Sequence, residues 1–365
     1  MAIGNTLPAI PETQTVAIIR KLGGKVEFQD DYPVPKVKHN EVLAKVLYTG
    51  VCQSDLHTKN GTAAGPDGKP ILKIKLPHVG GHEGVGRIVE VGPGCSDDIR
   101  IGKLVGIRFP SRICRRCEFC LAGKEQHCLS PKATNHLHHE DGCFQQYIAL
   151  DADYLTILPD DIPIELTGPI LCAGLTAYKA VMNCGLKPGQ WLAVIGAGGG
   201  LVQYGRTLGL RIIAIDGGEA KRDYCFSLGA CHYLDFKTTH SIPDTVRDIT
   251  GIGAHGVVCA AGSPAAYATA ADLLRINGTL ACVGIPPGAP HMDTPIATIV
   301  IKGLRIIGSL VGSLSDTLEV VELTRVGLVK PTIQVRPFRD LPNVYEELER
   351  DAISGRIVLK IAEDD

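Results

Sequence analysis

Cys114, Cys117, Cys120 and Cys128 stand in one short stretch as C-x2-C-x2-C-x7-C, and no other feature of this 365-residue chain restricts its folding so tightly. A spacing of two lets a single turn present neighbouring sulfurs to one ion, and four thiolates suit tetrahedral zinc. Such a site leaves no ligand position for water, so its expected role is structural. An iron–sulfur cluster also uses four cysteines, but nothing else in the chain points to one. Disulfides are the other outlet for thirteen cysteines. Met1 to Gln14 show no basic segment followed by an apolar core, so no secretory signal is expected, and the default location is the cytosol. Cysteines kept reduced there bind metal or do chemistry.

A second set of ligand types is scattered. Cys52 sits in Gly50-Val-Cys-Gln-Ser-Asp-Leu-His57, His82 in Gly80-Gly-His-Glu-Gly84, and Cys172 in Leu171-Cys-Ala-Gly-Leu-Thr-Ala177. Taken singly, each reads as an inert core residue. Taken together, two cysteines and one histidine match a zinc site whose fourth position is open for catalysis.

The chain is too long for one core and suggests two domains. Up to about residue 150 it reads as short strands between Gly/Pro turns: Val16–Ile19, Val42–Tyr48, Val85–Val91, Leu104–Ile107 and Gln146–Leu150. Gly61–Lys75 reads as an exposed loop. From Leu186 the rhythm changes to strands at Trp191–Ile195, Arg211–Ile215, Val257–Ala260, Thr279–Val283 and Arg305–Ile307, with helical segments at Glu219–Leu228 and Pro264–Arg275. Alternating strand and helix implies a parallel sheet covered on both faces. Val344–Leu348 reads as helix and Ile357–Ile361 as strand. The glycine run in Ile195-Gly-Ala-Gly-Gly-Gly-Leu201 follows a strand and precedes a helix, the setting in which backbone N–H groups cradle a pyrophosphate. Asp216, at the end of the next strand, is placed to bond ribose hydroxyls and repel a 2′-phosphate, which favours NAD over NADP.

With these motifs on the page, the chain resembles the medium-chain zinc-dependent alcohol dehydrogenases, especially the yeast-type fungal enzymes, from about Val16 to Lys360. The resemblance also rests on Phe144-Gln-Gln-Tyr147, Pro169-Ile-Leu-Cys-Ala-Gly174 and Ile215-Asp-Gly-Gly-Glu219. It implies an α/β protein. A GroES-like β-rich catalytic domain (residues 1–172 and 311–365) would hold both zinc sites. A Rossmann domain with a doubly wound parallel sheet (173–310) would bind NAD(H), with catalysis in a cleft between the two. Position by position, Cys52, His82 and Cys172 match the catalytic zinc ligands, and Cys114, Cys117, Cys120 and Cys128 the structural ones. Glu83 matches a residue that approaches the catalytic metal transiently. Asp55 matches the carboxylate that orients the histidine ligand. Ser54 matches the hydroxyl that touches the substrate oxygen, and His57 the histidine that passes its proton to solvent. Gly196, Gly198, Gly199, Gly200, Asp216, Lys221, Val283, Ile285 and Arg356 match cofactor-binding positions. The implied reaction is hydride transfer between NAD(H) and an alcohol or carbonyl, with two zinc ions per chain.

The chain departs from the family at three places. Gln53 stands where Arg or His often touches the cofactor phosphates. Leu201 replaces the third glycine of the dinucleotide loop, and about four residues are missing before Val202-Gln-Tyr204, roughly 6 Å of helix at 1.5 Å per residue. A catalytically silent scaffold of the same fold is the alternative that this shortening raises. Finally, yeast-type ethanol enzymes crowd the pocket with tryptophan, whereas Trp191 is the only Trp here, and Ala63 and Phe109 stand at the corresponding positions. A roomier pocket implies a substrate larger than ethanol, such as an aromatic alcohol or an intermediate of fungal secondary metabolism. A net charge of −2 gives no footprint for nucleic acid or an anionic membrane. No apolar run reaches the length of a membrane span; Ala297 to Gly312 comes nearest and is broken by Lys302 and Arg305. The expected partners are a small-molecule substrate and further copies of the chain, as a homodimer or homotetramer.

Overall fold

A computed structural model describes residues 9–197, 200–288 and 291–364. The chain forms two compact units: residues 1–63, 71–172 and 333–365, and residues 64–70 and 173–332.

The first unit is built on a strand that needs cover on both faces. In Glu41–Gly50, Val42, Leu43, Ala44, Val46 and Leu47 are all fully buried, so successive side chains on opposite faces meet protein. It pairs antiparallel with Gly84–Val91, Tyr147–Asp151 and Arg356–Lys360. These strands belong to a seven-stranded sheet. A three-stranded sheet, ordered Glu27–Pro33, Thr13–Ile19, His78–Val79, completes the frame. One apolar core joins the two, with Val16, Ile18, Ile88, Ile107, Phe144, Ile148 and Leu359 at its centre. Helix α1, Gln53–Asn60, starts where the long strand ends and stops at Gly61 in the left-handed conformation. Leu341–Glu349 and Arg356–Lys360 form the expected helix and strand of the C-terminal segment.

The second unit carries a six-stranded parallel sheet: β1 (Trp191–Ile195), β2 (Arg211–Asp216), β3 (His232–Asp235), β4 (Ala254–Cys259), β5 (Leu274–Cys282) and β6 (Arg305–Gly308). The order is β3-β2-β1-β4-β5-β6, that of a doubly wound dinucleotide fold. All five residues of β1 are buried, as a central strand covered by helices requires. Helices α2 (Leu175–Asn183), α3 (Gly200–Thr207), α4 (Ile296–Lys302) and α5 (Leu314–Arg325) belong to this unit.

Several expectations need correction. By contacts the second unit runs to Thr332, and within it α5 is held to α2: Lys179 Nζ donates to Asp316 at 2.9 Å and Tyr178 donates to Glu319. Residues 64–70 group with the second unit. The helix from Pro264 ends at Ala270, and Arg275 already lies in β5; the apolar run Leu273-Leu274 is drawn into the sheet core. The Ala297–Gly312 stretch divides between α4 and β6, and no described helix is long and apolar enough to cross a membrane.

Candidate active site

Helix α1 places its first turn at the end of the central strand. Asp55, at the third helical position, reaches back: its Oδ2 accepts from the Cys52 N–H at 3.0 Å. Its Oδ1 accepts from the Gly81 N–H at 3.1 Å and from His82 Nδ1 at 2.8 Å. Gly81 has φ +94°, and a Cβ there would lie 2.9 Å from the Phe144 backbone nitrogen, so only glycine lets the chain pass at this point. The other ring nitrogen of His82 faces Cys172 Sγ at 3.1 Å. Cys172 sits in one π-helical turn, Ile170–Gly174, an irregularity that recurs at functional sites.

The ligand atoms of Cys52, His82, Glu83 and Cys172 all lie within 4.8 Å of one another, and all four residues are buried. The Cys172 thiol, donating to Cys52, holds the Cys52 thiol well below its ordinary range, against burial. Burial pulls the His82 imidazole down, but Asp55 and Cys52 outweigh it and hold the ring well above its usual value. Burial pushes Glu83 up to about 7, against the pull of Arg356. Two thiols and a carboxylate are thus buried with Arg356 as the nearest permanent cation, an acid-rich donor set that a divalent ion would balance. The chemistry of these donors fits zinc.

Cys114, Cys117, Cys120 and Cys128 likewise lie within 4.8 Å of one another. The loop turns its own N–H groups onto the sulfurs: Cys114 N–H donates to Cys128 Sγ and Cys117 N–H to Cys114 Sγ, both at 3.3 Å. Backbone N–H groups of Cys120 and Leu129 bring the Cys117 thiol down to about 6. Backbone N–H groups also lower Cys114, whereas burial pushes Cys120 up to about 12, so this four-sulfur set needs a cation to be held as thiolates, as a closed zinc site would supply.

The remaining expected residues fall into place unevenly. Ser54 Oγ lies 3.8 Å from Cys52 Sγ. His57 Nδ1 lies 3.0 Å from Thr62 Oγ1. In the second unit, Gly196 follows β1 with φ +79°, and a Cβ there would meet the Ala261 backbone nitrogen at 2.8 Å. Ala261 follows β4, so this close approach is at the point where strand order reverses, the crevice in which such sheets bind ligands. Gly200 opens α3; Gly198 and Gly199 lie outside the described residues. Asp216 ends β2, with Oδ1 accepting from the Gly217 N–H at 2.8 Å and from Lys221 Nζ at 3.2 Å. Val283 and Ile285 follow β5, and Ile285 is 65% exposed. Arg356 is placed apart from these, in the first unit, where it donates to Glu83. Trp191 is buried in β1 beneath the Arg211 guanidinium, 3.7 Å from its ring. Ala63 and Phe109 are both half-buried in the first unit. His78 and Thr58, which lie near Asp55 around one cavity, have no motif that would mark them in the sequence.

The chain is similar to known proteins over nearly its whole length. Residues 38–160 match the family model described as the alcohol dehydrogenase GroES-like domain, and residues 196–325 the one described as zinc-binding dehydrogenase. An alcohol dehydrogenase of Schizosaccharomyces pombe is 38% identical over 97% of this chain and 99% of its own length. Alcohol dehydrogenase 1 of Neurospora crassa is 39% identical over 96% of this chain and 98% of its own. Among solved structures, the acetophenone reductase of Geotrichum candidum in complex with NAD is 26% identical, covers 98% of this chain and 100% of its own, and superposes with a TM-score of 0.84. The domain models, the full-length fungal relatives and the paired cysteine clusters make this chain a member of the medium-chain zinc-dependent alcohol dehydrogenase family.

Proposed function

We propose that Cys52, His82 and Cys172 hold a catalytic zinc, that the four-cysteine loop holds a structural one, and that the protein interconverts an alcohol larger than ethanol and its carbonyl with NAD(H). The convergence of Cys52, His82, Glu83 and Cys172 on one buried point carries the reading. Zinc held by Cys52, His82 and Cys172 would supply Lewis acidity to the reacting oxygen, and bound NAD(H) would supply the hydride chemistry. Asp55 orients His82, and its three N–H donors hold the carboxylate in place. Ser54 bonds the substrate oxygen, and half-buried His57 carries its proton toward solvent. Glu83 is held by Arg356 and stays within reach of the metal position. Gly196 and Gly200 bring backbone to the pyrophosphate with Gly198 and Gly199, Asp216 takes the ribose with Lys221 beside it, and Val283 and Ile285 flank the nicotinamide. Arg356, which resemblance matches to a cofactor position, is held by Glu83 in the first unit.

The substrate argument is one of volume. The only tryptophan is committed to β1, and the Geotrichum relative is a reductase of an aryl ketone. An aromatic alcohol or ketone is therefore the first class to try, and a step in fungal secondary metabolism in the cytosol is the setting it suggests. A homo-oligomer is supported by the end of the parallel sheet. There β6 pairs only with β5 among the described residues, and Ile296, Val300 and Ile301 of α4 are each at least 70% exposed. The deciding experiment is a panel of alcohols, aldehydes and ketones with NAD(H) and NADP(H), followed by absorbance of the reduced cofactor. Aryl substrates should be turned over with higher kcat/KM than ethanol or acetaldehyde. A preference for ethanol would reject the larger pocket, and no turnover of any member by the two-zinc protein would favour the silent scaffold.

A further inference from the structure

A small cavity in the first unit has Asp55, Thr58, Lys59, His78 and Tyr345 among its lining, together with apolar residues such as Phe144. Its volume is about 10 Å³, close to the room that the centre of one water occupies. Its polar walls are unusual. His78 is 1% exposed, and neither ring nitrogen has a hydrogen-bond partner. The nearest carboxylate oxygen, on Asp141, is 4.0 Å away, beyond hydrogen-bond reach. Thr58 is 2% exposed and its Oγ1 is also without a partner. Buried polar groups in native proteins are almost always satisfied, by protein or by ordered water.

Asp55 completes the set. A carboxylate offers about four acceptor positions. Three are used, by the N–H groups of Cys52, Gly81 and His82, which leaves one on Oδ2. Thr58 is three residues after Asp55 on α1, so both side chains lie on the same face, and both are buried. The cavity is too small for an organic ligand, and Lys59 in its wall argues against a cation.

We propose that this cavity holds one structural water, which accepts from Thr58 Oγ1 and donates to His78 and to the open position on Asp55 Oδ2, making His78 and Thr58 positioning residues for the Asp55–His82 pair. The proposal rests on the reading of His82 as a zinc ligand. A water bonded to three walls restrains Asp55 from the side that its backbone donors leave free. Asp55 in turn sets the plane of the His82 ring, so loss of the water loosens the metal rather than the fold.

Three measurements test this. In a crystal structure of the zinc-loaded protein at near-atomic resolution, a water should lie within hydrogen-bond distance of Thr58 Oγ1, a His78 ring nitrogen and Asp55 Oδ2; a dry cavity overturns the proposal. In His78→Leu and Thr58→Val, chelator-driven zinc release from the Cys52 site should quicken roughly tenfold, the low end of what loss of an outer-shell partner costs. Release from the four-cysteine site should not change, and the melting temperature should hold within a few degrees, because only one water and its bonds are lost. With cobalt in place of zinc, the visible band should shift in both variants and return in His78→Gln. Variants that match the parent in release rate and cobalt spectrum overturn the proposal, and Thr58→Val alone decides it should His78→Leu fail to fold. A parent whose zinc content is unchanged by Cys172→Ser instead rejects the ligand reading, and this inference with it.

Discussion

Asp216 makes the most of a short side chain. It ends a strand of the parallel sheet, and the Gly217 N–H fixes its carboxylate while Lys221 sits against it. On the proposed role of Asp216, replacing it with Ala would remove a charge-assisted bond to ribose and the repulsion of a 2′-phosphate together. NADH binding to Asp216→Ala should weaken by about 10- to 100-fold, the range for losing one hydrogen bond to a charged group, while NADPH binding changes little or improves; fluorescence titration with both cofactors measures this. NADPH turnover equal to that of NADH in the unmodified protein would count decisively against the assignment. Histidines in the first unit make a different prediction. Burial brings His78 and His138 down to about 4 and lowers His136. The unfolded chain therefore binds protons on these rings, beginning near pH 6.5, before the folded chain does. Stability should be flat with respect to them above pH 6.5 and should fall as pH drops from 6.5 toward 4. Urea unfolding of His78→Leu across that window should show a shallower fall than the parent; an identical slope would place the proton uptake elsewhere.

At the scale of elements, the shortened helix α3 is the informative case. The missing residues suggest damage to helix packing, yet Leu201, Val202, Tyr204 and Gly205 are all buried along its length. Tyr204 packs edge-on against Tyr178 of α2, ring centroids 5.6 Å apart. The apolar face is thus covered in the short form, although the buried Tyr204 hydroxyl has no hydrogen-bond partner, and the larger cost of the deletion is expected in the glycine loop. Inserting Gly-His-Leu-Ala between Leu201 and Val202 should then raise NADH affinity by about 30- to 150-fold, equivalent to roughly 2–3 kcal/mol. It should leave the melting temperature of the apoprotein within a few degrees. Calorimetric titration and a thermal scan check the two halves separately. A fall in affinity would make the short loop a native adaptation. Five of the six strands of the sheet were legible because buried apolar runs are a local signal, but the edge strand β3, with only Leu234 buried, was not, and β4 and β5 begin earlier than the apolar runs suggest. The end of the Pro264 helix was not legible either, because Leu273 and Leu274 suit a helix as well as the sheet core that takes them.

For the whole molecule, the two cysteine clusters should respond differently to metal removal. Elemental analysis should find two zinc ions per chain. Mild chelation should strip the Cys52 site first, where the protein offers three ligands and leaves a coordination position open, and abolish activity with the fold intact. Cys117→Ser should instead open the four-cysteine loop, since a closed site contributes folding free energy, and limited proteolysis should cut there. Active protein with one zinc or fewer per chain would reject both assignments.

Local residues determine what local physics can read. The four-cysteine loop, the strand–glycine–helix passage after Trp191 and the acidic end of β2 each lie within a few residues, so spacing alone specifies them. Asp55 and Thr58 likewise share a helix face by their separation of three. Tertiary structure decided the rest. Cys52, His82 and Cys172 come from a helix start, a strand junction and a π turn, and only packing of the first unit brings them within 4.8 Å. Arg356, a cofactor position by resemblance, is drawn to Glu83 because a buried carboxylate requires a partner. Helix α5 packs in the second unit through contacts with α2 far away in sequence, and His78 acquires meaning only from a cavity built by residues far from it in sequence. Long-range contacts of this kind leave no period or spacing in the chain, because each is chosen by the shape and unmet hydrogen bonds of whatever it packs against.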